Sequence, residues 1–284
     1  MSKIKKEDYN NIMSLFIRQN WLIPRQNQLL DLIDFCEDKE SKNLVFSLLQ
    51  RFNYLTPDTL QVLLNEISDH IINESTFLEE SCQLLSMTYD DSADSGQKIL
   101  DYLKLPLYQK GWRSVETVNK LGKSIKYYNK GKKQIVVIDE FIGSGKTIRN
   151  RIHYLNQNIP GEFEILFCFI AGTRETIEKL QEEGIKVFCP LQLDKGISDY
   201  YKDIELNHAE DLMLNLELKL AQHINEKELY NYSFGYGKGD PEALYTMEGC
   251  NGNTPNSVFP IFWWLKDQNN KERNTLLTRY EIGF

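Results

Sequence analysis

Asp139 and Glu140 stand side by side and are followed closely by Gly143, Ser144, Gly145, Lys146 and Thr147. Such a glycine-rich turn, opening a helix, aims backbone N–H groups and the positive end of the helix dipole at one anion. The two acids precede it where open α/β sheets place their ligands, at the carboxyl end of a strand. That strand is Ile135, Val136, Val137 and Ile138, a short apolar, mostly β-branched run suited to burial on both faces. The helix that must follow is read from Thr147-Ile148-Arg149-Asn150 onward, over roughly 146 to 157. Strand, acid pair, phosphate loop and helix make one binding device.

Two known loops compete for this stretch. A nucleotide-triphosphate loop of the Walker A kind, G-x-x-x-x-G-K-[ST], matches Gly145-Lys146-Thr147 but requires a glycine where Glu140 stands. A carboxylate there repels a triphosphate, and the sharp turn loses its glycine. Val136 to Thr147 instead resembles the 5-phosphoribosyl 1-diphosphate (PRPP) signature of the type I phosphoribosyltransferases. That signature is four apolar residues, two acids, two apolar residues, and a turn ending in a small hydroxyl residue, Gly, any residue and Thr. The hypoxanthine-guanine branch is the most similar.

This resemblance implies a set of roles. Asp139 and Glu140 would take the ribose hydroxyls directly or through magnesium-bound water, so Mg2+ is the implied cofactor and is held indirectly. Gly143, Ser144, Gly145, Lys146 and Thr147 would wrap the 5′-phosphate. The reaction of the family is displacement of pyrophosphate at the anomeric carbon, a glycosyltransferase step driven by positioning and charge stabilisation. One departure separates binding from catalysis: where the hypoxanthine-guanine branch carries a proton-accepting aspartate, this chain has Gly143. The implied partner is PRPP or a related phosphoribosyl ligand, bound either by a transferase or by a sensor that has lost transfer chemistry.

The family's first strand-to-helix loop, which takes pyrophosphate, falls on Asp90 to Gly96. Asp90, Asp91, Ser92, Asp94 and Ser95 are its candidate magnesium and pyrophosphate groups; the competing reading is a solvated turn capping the next helix. Residues 106 to 133 lie where related enzymes insert a mobile hood. Val115, Val118, Leu121, Ile125 and Tyr128 recur there at helical spacing, which predicts a packed helix with Lys120, Lys123 and Lys126 outward.

Strands alternating with helices predict an α/β fold with a doubly wound parallel sheet of the type I phosphoribosyltransferase kind. Cys82 to Tyr89, Phe163 to Ile170 and Ile185 to Cys189 are further strands. Ala171-Gly172-Thr173 is expected to open a helix, with Thr173 as N-cap and Gly184 as its stop. Residues 1–78 read as a helical module, with Thr56-Pro57-Asp58 starting its last helix. Residues 79–284 read as the sheet domain, with a long helix over 203 to 226 and an irregular, aromatic-rich C-terminal segment. The module is a candidate surface for a protein partner.

In that last segment Asn253-Thr254-Pro255-Asn256 and Phe259-Pro260-Ile261-Phe262-Trp263-Trp264 resemble the phosphoribosyltransferase-like proteins of bacterial conflict and antiphage systems. Phe262, Trp263 and Trp264 are candidates for stacking on a base, or else a buried plug, which is the commoner fate of large aromatics.

Composition narrows the rest. A chain of 284 residues with 41% hydrophobic content buries a sizeable core, and a net charge of −8 argues against broad, sequence-independent nucleic-acid binding. Five cysteines without C-x-x-C spacing suggest neither a disulfide frame nor a zinc site, and Cys36, Cys82, Cys168 and Cys189 sit in apolar contexts. His70, His153, His208 and His223 lack partners at ligand spacing. No apolar run is long enough to cross a bilayer and no signal segment follows Met1, so a cytoplasmic protein without membrane contact is expected.

Overall fold

The computed structural model describes residues 6–87, 95–236 and 241–279. In chain order, helices α1 (Lys6–Arg18), α2 (Gln26–Phe35) and α3 (Lys39–Gln50) lead to a short strand β1 (Asn53–Tyr54). Then come α4 (Pro57–Asp69), β2 (Cys82–Ser86), α5 (Ser95–Gln109), β3 (Glu116–Val118), α6 (Ser124–Tyr128), β4 (Gln134–Ile142), α7 (Lys146–Asn158) and β5 (Glu164–Thr173). The chain continues through α8 (Arg174–Glu182), β6 (Val187–Phe188), β7 (Leu191–Leu193), α9 (Asp203–Leu218), the hairpin β8 (His223–Ile224) and β9 (Lys227–Glu228), and β10 (Tyr245–Thr246).

Two compact units result, residues 57–193 and residues 1–56 with 194–284. These boundaries differ from the expected break at residue 78. Pro57 does start a helix, at its first position where the missing N–H costs nothing. That helix, α4, packs on α5 and β5 and so belongs with the sheet.

In the 57–193 unit all pairings are parallel, in the order β3-β2-β4-β5-β6, with β7 also paired to β5. The doubly wound expectation holds: α4 and α5 pack on the sheet, and on α6, α7 and α8 rests a core that includes Leu85, Val137, Phe167, Leu121, Leu155 and Leu180. Ile135 to Ile138 are fully buried, as a centrally placed parallel strand requires. The residues expected to form one helix over 115–128 divide instead. Glu116–Val118 adds an edge strand to β2, and only Ser124–Tyr128 is α-helical. Pairing along β2 outweighs a helical spacing that continues only through the short helix. Ala171, Gly172 and Thr173 likewise remain in β5, because β7 supplies partners at Leu191, Gln192 and Leu193.

In the other unit β1 pairs in parallel with β10, Asn53 opposite Tyr245 and Tyr54 opposite Thr246. The amino-terminal helices and the carboxyl-terminal aromatic segment therefore share one core. Phe262, Trp263 and Trp264 are wholly buried in it. Trp263 Nε1 donates to the Val258 carbonyl and Trp264 Nε1 to the Ala221 carbonyl, both at 2.9 Å. Arg273 donates to the carbonyls of Trp264 and Ile261 at 2.7 and 2.8 Å, and burial lowers its pKa to about 10. Arg25 pairs with Glu248, and its guanidinium lies 5.1 Å from the centre of the Tyr54 ring. The α9 helix ends at Leu218, short of the expected 226, and Ala221 then bonds back to Lys266.

All five cysteines are free and buried, and burial pushes the Cys36, Cys82 and Cys189 thiols up to about 12 and Cys168 well above its ordinary range. The thiols should be inert to Ellman's reagent in the native protein and react together on denaturation, because thiolate is the nucleophile; fast native labelling would contradict this packing. A second expectation concerns Gly172, whose added Cβ would lie 1.9 Å from Ile142 Cγ2. Gly172→Ala should lower stability by about 1–3 kcal/mol, read from urea unfolding; an unchanged midpoint would show that β4 and β5 are not so closely apposed.

Candidate functional site

The two predicted acids follow directly on the fully buried run Ile135 to Ile138, within a strand that continues to Ile142. Asp139 and Glu140 continue it, but they are not equivalent. Glu140 is 5% exposed, whereas Asp139 is only partly buried. Asp139 Oδ1 accepts from its neighbour's backbone, Glu140 N, at 2.7 Å, and from Ser95 Oγ at 2.9 Å. Ser95 is the first residue of α5, and Gly96 explains how it comes so close. A Cβ at Gly96 would lie 3.1–3.2 Å from the Ile138 carbonyl, Ser86 Oγ and Asp139 Oδ1. The start of α5 thus lies on Asp139. Asp90, Asp91, Ser92 and Asp94 of the candidate pyrophosphate loop fall outside the described residues.

Past Ile142 the chain turns through Gly143, Ser144 and Gly145 into α7, which begins at Lys146 as expected. Gly145 caps that helix with φ +70°, a left-handed conformation that costs side-chain-bearing residues energy. Its position is also confined: an added Cβ would lie 3.1–3.3 Å from Arg149, Leu180 and Thr176. Ser144, Lys146 and Thr147 are exposed. A single turn therefore presents two hydroxyls, an ammonium and the unsatisfied N–H groups of a helix start, which suits a phosphate.

Groups not read as part of the site in the sequence brace this turn. Arg149 Nη1 donates to the Ser144 carbonyl at 3.3 Å, while its Nε and Nη2 form a two-pronged pair with Glu183 at 2.8 and 2.5 Å. That pairing raises the arginine's pKa and lowers the glutamate's. The signal was readable in part, since Arg149 lies one helical turn after Gly145. Thr173 occupies the N-cap position of α8 but makes no capping bond; its hydroxyl donates to the Gly143 carbonyl at 3.4 Å instead. Gly184 does end α8, at φ +79°. Arg151 Nε donates to the Met87 carbonyl at the end of β2, at 3.1 Å.

Among the described residues no group of three or more His, Cys, Asp or Glu could hold a metal by itself. Two adjacent carboxylates fit a cation that is held mostly by ligand oxygens and water, the habit of magnesium. Phe262, Trp263 and Trp264 are enclosed in the core of the other unit, so the plug is the reading that matches their burial and no ring face is presented for base stacking.

This strand, acid pair, phosphate turn and helix define the class, a phosphoribosyltransferase-like α/β protein. The chain belongs to the PRTase-CE family, whose model matches residues 26–279. No curated protein matches in sequence. Among solved structures it is similar to a hypothetical protein from Neisseria gonorrhoeae with bound ppGpp, at 11% identity and TM-score 0.38, covering 56% of this chain and 94% of that one. It is also similar to hypoxanthine-guanine phosphoribosyltransferase from Schistosoma mansoni in complex with IMP (17% identity, TM-score 0.34, coverage 49% and 67%). A third is purine phosphoribosyltransferase from Pyrococcus horikoshii Ot3 (13%, 0.32, 50% and 88%). All three TM-scores are below 0.5, and the family assignment rests on the family match. Among the described residues no helix is long and apolar enough to cross a membrane.

Gly145→Ala should cost about 1–2 kcal/mol through its positive φ and weaken anion binding at the turn. Thermal unfolding with and without inorganic phosphate measures both; a variant as stable as wild type would show that the turn does not depend on the left-handed residue.

Proposed function

We propose that the chain binds PRPP or a related phosphoribosyl compound, with magnesium, at the carboxyl end of β4. The observation that carries this reading is the continuity of Asp139 and Glu140 with the Gly143–Thr147 turn, one offering carboxylates and the other a phosphate cradle. The greater exposure of Asp139 supports it as the first group to take the ribose hydroxyls, with the buried Glu140 beside it. The 5′-phosphate sits on the start of α7, with Ser144 and Thr147 hydroxyls and Lys146 as further donors. Asp139 and Glu140 would hold magnesium through water, and the ion would supply charge neutralisation at the pyrophosphate. As an enzyme the protein is a glycosyltransferase that moves or releases the phosphoribosyl group.

A second reading, a phosphoribosyl-binding sensor or regulatory partner without transfer chemistry, is favoured by Gly143. That residue offers only a carbonyl, already accepting from Thr173, where the hypoxanthine-guanine branch carries a carboxylate. The resemblance of the Asn253–Trp264 stretch supports a role as an effector in bacterial antiphage defence, and the amino-terminal helices are the surface proposed for a protein partner.

Calorimetric titration with PRPP, ATP and nucleoside monophosphates, with and without magnesium, tests the binding. Magnesium-dependent PRPP affinity should fall at least about tenfold in Asp139→Ala, a loss of about 1.4 kcal/mol, and vanish in the Asp139→Ala/Glu140→Ala double variant. Tight ATP binding that survives the double substitution would sink the assignment. Pyrophosphate release with candidate acceptors separates enzyme from sensor, and phage challenge of cells carrying wild type or the double variant tests the defence role.

A further inference from the structure

Where α4 ends, the chain does not run straight on to β2. His70–Glu74 wind into one wider turn of π type, in which Ser75 N donates to the His70 carbonyl at 2.9 Å. Such turns give up the regular α ladder and recur at functional sites. Just beyond it Thr76 stands at φ +63°, a left-handed conformation that is an outlier for a β-branched residue. The turn and Thr76 line a cavity of about 500 Å³, together with Leu166 of β5, Val187 of β6 and Lys186. That volume is in the range of small-molecule sites, roughly 300–1,000 Å³. Leu166 pairs with Val136, upstream of Asp139 in β4, so the cavity lies toward the amino end of the sheet, away from the acid pair.

The polar groups around this cavity are few and incompletely used. His70 Nδ1 and Glu74 Oε2 are 2.8 Å apart. An ionised carboxylate can only accept, so Nδ1 carries the proton. The other ring nitrogen, Nε2, makes no hydrogen bond among the described residues. Phe188 stacks on one face of the imidazole, with ring centres 4.0 Å apart and planes within 6°. Phe188 is not part of the cavity lining, which leaves the second face and the edge of the imidazole to the cavity. Lys186 reaches Glu164 at 3.4 Å and its side chain is 59% exposed. The remaining lining is apolar and buried at Phe77, Leu166 and Val187.

This set of groups narrows the ligand. A simple anion would meet two carboxylates, Glu74 and Glu164, against one ammonium, and a simple cation would meet that ammonium beside an imidazole. A wholly apolar molecule would cover charged heads without bonding them, which costs desolvation. A flat, neutral heterocycle suits every group: its face stacks on the imidazole, its N–H groups donate to Glu74, and its carbonyls or ring nitrogens accept from Lys186. We infer that the cavity is a second ligand site, which takes a nucleobase, free or within a nucleoside. His70 is the stacking platform, and Glu74 both orients that platform and bonds the edge of the base. The site is separate from the Gly143–Thr147 turn and holds whatever ligand that turn takes.

The chain has four histidines, so their imidazole signals can be followed one by one in proton–carbon NMR spectra of the full chain. Titration with adenosine, inosine, cytidine and uridine should shift the His70 signals, assigned by their loss in His70→Ala, and at least one of these nucleosides should saturate them in the millimolar range or below. His153, His208 and His223 should stay in place. Calorimetry with the nucleoside that binds best should show affinity lowered about three- to tenfold in His70→Ala, the worth of one aromatic stack. Asp139→Ala/Glu140→Ala should bind it like wild type. Should His70→Ala unfold, Glu74→Gln, at an exposed side chain, assigns the same signals and carries the same expectation of weaker binding. Unmoved His70 signals with all of these nucleosides would overturn the inference, as would an equal response to ribose or benzoate. Nucleoside binding lost in the acid-pair variant but kept in His70→Ala would overturn it too, by placing the base at Asp139.

Discussion

Everything at the site depends on where β4 stops being covered. Ile135 to Ile138 are buried from both sides by helices, which only a parallel, doubly wound sheet supplies, and such a sheet leaves the carboxyl ends of its strands open to ligand. Asp139 comes directly after the fully buried run and is partly exposed, whereas Glu140 next to it is 5% exposed. One residue earlier Asp139 would be a carboxylate buried in an apolar core, at a cost of several kcal/mol. The apolar run acts as a ruler that places Asp139.

Close approach of backbones does the rest of the positioning. Gly96 lets the first turn of α5 reach Asp139, Gly172 lets β5 pass Ile142, and Gly145 turns the chain into α7 against Leu180 and Thr176. Around these contacts Arg149, itself paired with Glu183, holds the Ser144 carbonyl, and Thr173 holds the Gly143 carbonyl. The turn is thus braced in one conformation, the preorganisation that makes binding cheaper for any ligand it takes.

Much of this was legible in the residues. The helix starting at Lys146, the stop at Gly184 and the start at Pro57 follow from local chemistry, and each stands where it was read, while the strand carrying the acid pair runs on past it to Ile142. Readings that failed were those where a distant partner outweighed local spacing. Val115 to Tyr128 carries helical periodicity, but β2 offers an edge and takes Glu116–Val118 as a strand. Thr173 has the composition of a cap, yet its hydroxyl serves Gly143. The family match over residues 26–279 agrees with the motif read from Val136 to Thr147 and adds no acceptor.

By itself, then, the sequence determined the buried strand Ile135 to Ile138, the helix starts at Pro57 and Lys146 and the stop at Gly184, because apolar runs, prolines and glycine turns act over a few neighbouring residues. Tertiary structure decided what those residues face. Only the fold brings Ser95 to Asp139, pairs Asn53 with Tyr245 to unite the chain's two ends in one core, and encloses Phe262, Trp263 and Trp264 where stacking on a ligand is closed to them. Each of these joins groups far apart in sequence. Their meeting is set by strand pairing and burial summed over the chain, quantities that no local window contains.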